Sequence, residues 1–500
     1  MATVDTDVVI VGGGAAGAVM AARLSEDPAR SVLLLEAGRA YSLAAEPADL
    51  RDPGRVPGQP EHDWGYTARG GRAAPEIFVP RGKALGGSSA VNAAIAMRPR
   101  DEDIREWQSQ GVEGWSAKEV ESTFAAFERS VGEDGGERGG GTFPIHQERY
   151  EELSPSLKAF VDASVALGFP YAPRFNGRVT GGVGPAALNV VDGVRQHTGR
   201  VYLADDVRRR ANLTIQGDVL VDRVRLDAGR GTGVIASDGS VFAADEVVLC
   251  AGAYGSAAVL LRSGIGPAPE LRELGIDVVA DLPVGQHLQD HPFFYNPYAL
   301  ASDALDMMPR VGALLWTASS EAADGELDLH ITATHLMDPS LSPTGGAIVL
   351  ATALVRPESR GTIRLRSREP KDPPIIDCNF LATVRDRSRM LEGVKLGRSI
   401  GRHPAFAPLV ATELMPGDAV ADDADLAKFI EANIATYGHP TATAPMGGTK
   451  DPWSVVDSVG AVNGVDGIRV VDASIMPAVP SVATNLTTIM IAERIAHLAY

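Results

Sequence analysis

The chain has 500 residues, 45% apolar and 22% charged, which fits a packed globular protein of two or three domains. That composition excludes a disordered chain, a collagen and a disulfide mini-scaffold, and the net charge of −18 leaves no general footprint for nucleic acid or an anionic membrane. Two cysteines, Cys250 and Cys378, give neither a bridge framework nor a Cys/His metal spacing, so no metal is expected.

The opening stretch MATVDTDVVIVGGG carries no basic leader, and no window approaches 18 uninterrupted apolar residues. The expectation is a soluble, cytoplasmic protein. Asp7 to Val11 is a short β-branched run that reads as a buried parallel strand. Gly12-Gly13-Gly14-Ala15-Ala16-Gly17 follows as a GxGxxG turn, then an apolar-periodic helix through Leu24. A second strand, Ser31 to Leu35, ends in Glu36. Gly12 suits the tight turn, Gly14 lets a pyrophosphate approach the backbone, and Gly17 lets the helix pack close to the strand. Glu36, at the second strand's end, is placed to accept from ribose hydroxyls, which disfavours a 2′-phosphate and hence NADP. This unit alone leaves NAD and FAD open.

Pro80 to Ser89 is glycine-rich, carries hydroxyls and runs into an apolar stretch, Ala90 to Ile95, that reads as helical. It is either a second backbone cradle for a polar ligand or a tight connecting loop. The segment 132–141 reads as a flexible surface loop, and Arg208-Arg209-Arg210 as a solvated helix end. Asn212 to Ile215 and Val219 to Val224 alternate like edge strands, and Glu246 to Gly252 reads as a buried strand into a glycine turn. From Ala301 to about Ile430 longer strands, Leu327 to Leu336, Ala347 to Val355 and Gly361 to Leu365, suggest a separate sheet. At Ile468 to Asp472 a strand ending in an acid returns, followed by an apolar-faced helix from Asn485 to Leu498. The two chain ends are therefore expected to build one domain. The fold class is α/β: a Rossmann-like dinucleotide domain with an inserted α+β substrate domain.

With these segments in view, the chain resembles the glucose–methanol–choline oxidoreductases over essentially its whole length. The segments that carry the resemblance are Gly82-Lys83-x-Leu85-Gly86-Gly87-Ser88-Ser89-x-Val91-Asn92, Gly252-Ala253-Tyr254-Gly255-Ser256 and Val284 to His291, with Arg356 to Gly361 and Asp372 to Asp377. Ala257 departs from the usual Pro or Ser, a difference of packing. Compact length and short loops look most like the bacterial members that oxidise pyridoxine and hydroxymethylfurfural.

The resemblance implies FAD, held at Gly12, Gly14, Ala15, Gly17, Glu36 and Ala37. It also implies flavin contacts from Trp64, from the loop holding Leu85, Gly87, Ser88, Asn92, Ala93 and Ile95, and from Gly438, Leu486 and Thr487. Val221 falls on the adenine side, and Asp472 and Ala473 at the pyrophosphate and ribityl end. Members with covalent flavin have a histidine where this chain has Val91, so the FAD is expected to be non-covalent. The implied division is residues 1–297 and 435–500 for the FAD domain, with insertions near 41–63 and 150–195, and residues 298–434 for the substrate domain.

Tyr437-Gly438-His439-Pro440 resembles the segment carrying the family's catalytic histidine, with Ala444 where a cysteine is frequent. Thr484-Asn485 stands where the family has His or Asn, and either residue also suits a helix N-cap. A neutral imidazole suits the removal of a hydroxyl proton, and an amide N–H can donate to the forming alkoxide. His330 and His335, on opposite faces of one strand, are weaker pocket candidates, and His291 is assigned to a stretch the family uses structurally. The implied reaction oxidises a small primary alcohol, aromatic or furanic, with O2, a quinone or another carrier as acceptor. The alternative is a flavin-containing lyase of the same fold without net redox turnover. Monomer and dimer are both compatible with the sequence.

Overall fold

The computed structural model describes residues 5–131, 137–177, 181–305 and 307–500. The loop expected over 132–141 therefore lies partly outside the described residues.

Strand Asp5–Val11 lies inside a seven-stranded sheet, with Val8, Val9, Ile10 and Val11 no more than 3% exposed. Burial on both faces is what an unbroken β-branched run permits, and its neighbours Val32–Leu35 and Val241–Leu249 are parallel to it. The order runs Leu213–Gln216, Val32–Leu35, Asp5–Val11, Val241–Leu249, Arg230–Ala236, Val221–Asp227. The two alternating segments expected at edges thus occupy the two edges. The returning strand Ile468–Val470 pairs parallel with the end of Val241–Leu249, and the last helix, Thr484–Ala499, packs against Ala15–Leu24. Both chain ends contribute to this one layered unit.

A second sheet of eight strands includes the order Val410–Glu413, Pro297–Leu300, Ala347–Leu354, Leu329–Thr334, Val311–Thr317, Gly182–Pro185. Pro292–Phe294 also joins it, bridging Ala347–Leu354 to Ala435–Thr436. The sheet therefore draws strands from both sides of the 298–434 block. Helix Val384–Gly401 covers one face, where Gly393 brings its backbone against Thr352 and Leu329. By the period-two rule Trp316, His330, Ala351 and Ala353 point the other way. There they meet Met97, Val482, Phe293 and Tyr437.

Four local expectations fail. Thr362–Arg364, expected beside Leu329–Thr334 and Ala347–Leu354, lies instead in a four-stranded sheet with Ile375–Phe380, Thr67–Gly71 and Ile77–Phe78. Ala90 to Ile95 is not helical: a 3-10 turn, Gly87–Ala90, ends at Val91, and Ala94 takes φ 58°. The Asn92 carboxamide oxygen accepts from the Ala94 N–H at 3.0 Å, a side-chain turn that competes with helix. Neither Thr484 nor Asn485 caps the last helix, because Ala483 is its N-cap and no side chain makes a cap hydrogen bond there. The arginine run is not simply solvated: Arg208 Nη1 donates to the Tyr41 carbonyl at 2.8 Å and Arg210 Nη1 to Ala22 at 2.6 Å, leaving Arg209 exposed. No helix among the described residues is long and apolar enough to cross a membrane.

Candidate active site

Two glycine loops meet back to back. Gly12, at φ +96°, has no room for a side chain, since a Cβ there would lie 2.6 Å from the Cys250 carbonyl oxygen. A Cβ on Gly17 would strike the Gly12 carbonyl, which is how the helix comes close to the strand. Gly86 N donates to the Gly13 carbonyl at 2.7 Å, and a Cβ on Gly87 would lie 2.7 Å from the Gly14 Cα. The helix at Ala15–Leu24 starts on Gly14 with no side-chain cap, so its first N–H groups have no side-chain partner. Gly12, Gly14 and Ala15 are partly open beside Ser88, and Leu85 packs on Gly13. A negatively charged pyrophosphate fits this seat, with backbone donors and helix dipole facing it.

Glu36 is 5% exposed and takes the Gly13 N–H at 2.7 Å on one oxygen and the Gly38 N–H at 2.8 Å on the other. Burial pushes its carboxyl up to about 7 despite those bonds and the neighbouring Ala37 amide. The Val219 N–H donates to the Glu36 carbonyl, which brings Val221, opening its strand, alongside. Asp472 is turned wholly to protein donors: Gly252 N–H, the Ser256 hydroxyl, and the N–H and hydroxyl of Ser474. Its part is to join the returning strand to the sheet, and Ala473 begins the 3-10 turn that follows. Leu486 is fully buried in the core, whereas Thr487 Oγ1 is buried and makes no hydrogen bond. Asn485 Nδ2 likewise has no partner. Trp64 is half-buried, stacked on Tyr66 at 5.6 Å with the Lys83 ammonium 4.8 Å from its ring centre. Asn92, Ala93 and Ile95 are half-buried. The glycine seat and the orphan donors fit FAD.

His439 is placed by a carboxylate beneath it. Asp290, 4% exposed, accepts the backbone N–H groups of His439 at 2.8 Å and His291 at 2.7 Å on one oxygen, and the Thr436 hydroxyl at 2.6 Å on the other. Burial raises its carboxyl to about 6. Gly438, at φ +86°, carries the turn, and its carbonyl takes Arg81 Nη2 at 2.8 Å. His439 Nδ1 faces His291 Nδ1 at 3.0 Å, with the rings edge to face. Burial, with His291, Arg81 and His330 nearby, pushes His439 well below the ordinary imidazole value. It is therefore neutral near pH 7.

Tyr437 stacks on Phe293 at 4.3 Å and meets His330 edge-on at 6.4 Å. His330 is 1% exposed, neither ring nitrogen has a partner, and Trp316 lies 5.0 Å away. His335 is not part of this group: its ring bonds Ser156 at 2.6 Å and the Ala347 carbonyl at 3.0 Å. The segment into the last helix runs beside the histidines, since Val479 N–H donates to Gln289 Oε1 at 3.0 Å and the Pro480 carbonyl faces His291. Asn485 is five residues further on. Away from this region, His146, Glu148 and Glu152 could hold a metal, though Arg149 already engages Glu152.

Residue-by-residue reading passed over His291, Asp290, Thr436 and Arg81 as parts of one cluster. The signal was the Asp290-His291 pair at a strand start, an acid and a base adjacent in an apolar setting.

The family models for GMC oxidoreductases match residues 6–293 and 357–492. The chain is a GMC oxidoreductase. It is 34% identical to a mitochondrial choline dehydrogenase of Mus musculus over 98% of this chain and 88% of that one. To an alcohol dehydrogenase [acceptor] of Pseudomonas putida it is 33% identical, covering 98% and 95%. The crystal structure of pyridoxine 4-oxidase from Mesorbium loti superposes with a TM-score of 0.89 at 33% identity, covering 98% of each chain. The GMC oxidoreductase described here is thus an FAD-dependent alcohol oxidoreductase.

Proposed function

We propose that this enzyme oxidises a small primary alcohol with an aromatic or furanic body to its aldehyde, with His439 as base and Asn485 as donor to the alcohol oxygen. The observation that carries the reading is the neutral imidazole of His439, fixed at Nδ1 by His291 and on its backbone by Asp290. A base held on two sides keeps one nitrogen, Nε2, for the substrate hydroxyl. Removing that proton makes an alkoxide, which expels hydride far more readily than the alcohol does. The Asn485 amide N–H, unpartnered in the protein, donates to the developing oxyanion without becoming charged. FAD, when bound, supplies the hydride acceptor. The residues proposed to hold it are Gly12, Gly14, Ala15, Gly87 and Ser88 at the pyrophosphate, Glu36, Ala37 and Val221 on the adenine side, and Trp64, Asn92 to Ile95, Ala473 and Thr487 elsewhere. Val91, packed against Gly58, carries no nucleophile, so the cofactor is dissociable.

The aromatic substrate class rests on the wall facing the FAD domain. Trp316, Tyr437 and Phe293 supply flat apolar surface, and His330 is the polar group among them. The similarity to a pyridoxine 4-oxidase agrees with a ring-bearing alcohol. The test is an anaerobic panel of aryl, furanic and aliphatic primary alcohols and choline, followed by flavin bleaching. Fastest bleaching by aryl or furanic alcohols is expected, and admitting O2 then separates an oxidase from an enzyme that needs a quinone or other carrier. A flavin that stays oxidised with every alcohol would favour a lyase. Flavin that stays with the precipitated chain after denaturation would overturn the non-covalent assignment.

A further inference from the structure

The reading of His439 as base, on which this inference rests, requires its Nε2 to be bare. An imidazole can present either nitrogen, so something must choose. Among the described residues, the contact at hydrogen-bond distance to the His439 ring is His291 Nδ1, and two Nδ1 atoms 3.0 Å apart share one proton. If His291 donated, His439 would carry its own proton on Nε2 and could not accept the hydroxyl proton. If His291 accepts, His439 holds its proton on Nδ1 and Nε2 is free.

We infer that His291 is a positioning residue: its neutral imidazole accepts the Nδ1–H of His439 and thereby holds the base in its reactive tautomer without bringing a negative charge. The surroundings of His291 decide the direction. Its ring is fully buried, its Nε2 has no hydrogen-bond partner, and the backbone carbonyls near the ring, those of Pro480 and Val355, are acceptors only. Acceptors there favour an N–H on that side of the ring, which leaves Nδ1 bare toward His439. Burial and the nearby Arg356 keep His291 neutral, pushed down to about 3.

An uncharged partner changes how the base responds to protons. In serine hydrolases with a Ser-His-Asp triad, a carboxylate fills the orienting place and stabilises the imidazolium. Here the nearest carboxylate, Asp290, spends one oxygen on the His291 and His439 backbone N–H groups and the other on Thr436. It shapes the loop and leaves the ring contact to an uncharged acceptor. The charged and titratable groups that act on the pair are Arg81, Arg356 and His330, with the Tyr437 ring tilted against both imidazoles. Arg81 opposes protonation of His439 at rest, and Arg356 that of His291. The base therefore stays available as pH falls through the range where an ordinary histidine is lost. Once Nε2 takes the substrate proton, the Nδ1–H···Nδ1 bond becomes charge-assisted and strengthens. Such a bond, weak before proton transfer and strong during it, lowers the barrier.

The experiment measures the limiting rate of anaerobic flavin reduction against pH for the holoenzymes of His291→Leu, His291→Asn and His291→Asp, with FAD content and melting temperature read alongside. His291→Leu removes the acceptor and should slow reduction about 10- to 100-fold, the usual reach of one buried hydrogen-bond partner. His291→Asn places an oxygen near the former Nδ1 and should recover to within about tenfold of wild type. His291→Asp supplies an acceptor with charge and should move the acid limb of the pH profile up by about one unit or more. Equal slowing in the Leu and Asn variants would show that His291 only fills space. An acid limb that stays in place in the Asp variant would overturn the claim about charge. His439→Ala run in parallel separates the two readings: undiminished reduction in that variant removes the base itself, whereas a slow His439→Ala beside indistinguishable His291 variants overturns only the tautomer assignment.

Discussion

Asn485 offers a test in which stability and activity are expected to move in opposite directions. The residue is the second of the last helix, Ala483 is the cap, and Nδ2 bonds nothing in the protein. Removing the amide therefore breaks no structural hydrogen bond. Asn485→Leu takes away a buried donor that has no partner and should stabilise the fold by about 1 kcal/mol. Asn485→Asp places a carboxylate in the first helical turn, beside the positive end of the dipole, which favours the fold by about 0.3–1 kcal/mol. Both should slow flavin reduction. Losing one donor to a developing oxyanion costs about 10²–10³ in rate, and the Asp variant adds repulsion between its carboxylate and the alkoxide. The same carboxylate should lower the flavin potential, measured by dye equilibration. The assay is anaerobic stopped-flow reduction at saturating alcohol, with thermal unfolding of the same samples. An Asn485→Leu enzyme that reduces its flavin at the wild-type rate would refute the donor role, and an Asp variant with an unchanged potential would place Asn485 away from the flavin.

Gly87→Ala should impair FAD binding, because a Cβ there would lie 2.7 Å from the Gly14 Cα and φ is +51°. A strain of about 1–2 kcal/mol corresponds to roughly 5- to 30-fold weaker binding, read as FAD content after dialysis. Glu36 gives a pH signature in the apoprotein. Its folded value near 7 lies above the ordinary 4.5, so the folded state binds the extra proton, and stability present below pH 4.5 is lost as pH rises through 7. Wild type should therefore lose about 3 kcal/mol relative to Glu36→Gln between those limits, measured by denaturant unfolding. A flat difference would show that the carboxyl is not desolvated. His330→Leu removes two buried unpartnered nitrogens and should stabilise the apoprotein by about 1–3 kcal/mol while lowering kcat/KM for ring-bearing alcohols. Higher stability with unchanged kcat/KM would take His330 out of the substrate wall.

The dinucleotide unit was legible because its physics is local. A β-branched run, a glycine turn and an acid at the next strand's end each announce themselves within a few residues, and the structure puts Gly12, Gly14, Gly17 and Glu36 around one seat. The returning strand at Ile468 was readable for the same reason. Ala90 to Ile95 misled because helical apolar spacing ignores the Asn92 side chain, which diverts the backbone at Ala94. The N-cap at Ala483 has no side-chain signature, so a polar residue beside it drew the assignment. The histidine pair was not legible at all, since 148 residues separate His291 from His439 and only the sheet joining Pro292–Phe294 to Ala435–Thr436 brings them together. His330 and His335 illustrate the same limit: one lies in the strand Leu329–Thr334 and the other just past its end, and only the fold tells which meets Tyr437.

Removal of the substrate proton by His439 is the step on which the proposed chemistry depends. Single-turnover reduction of the FAD holoenzyme of His439→Ala, mixed anaerobically with an aryl alcohol that bleaches wild type, tests it most directly. The expected rate is lower by about 10²–10⁴, the range for losing a general base, with FAD content unchanged because no proposed cofactor contact is removed. Reduction at the wild-type rate with full FAD content would contradict it.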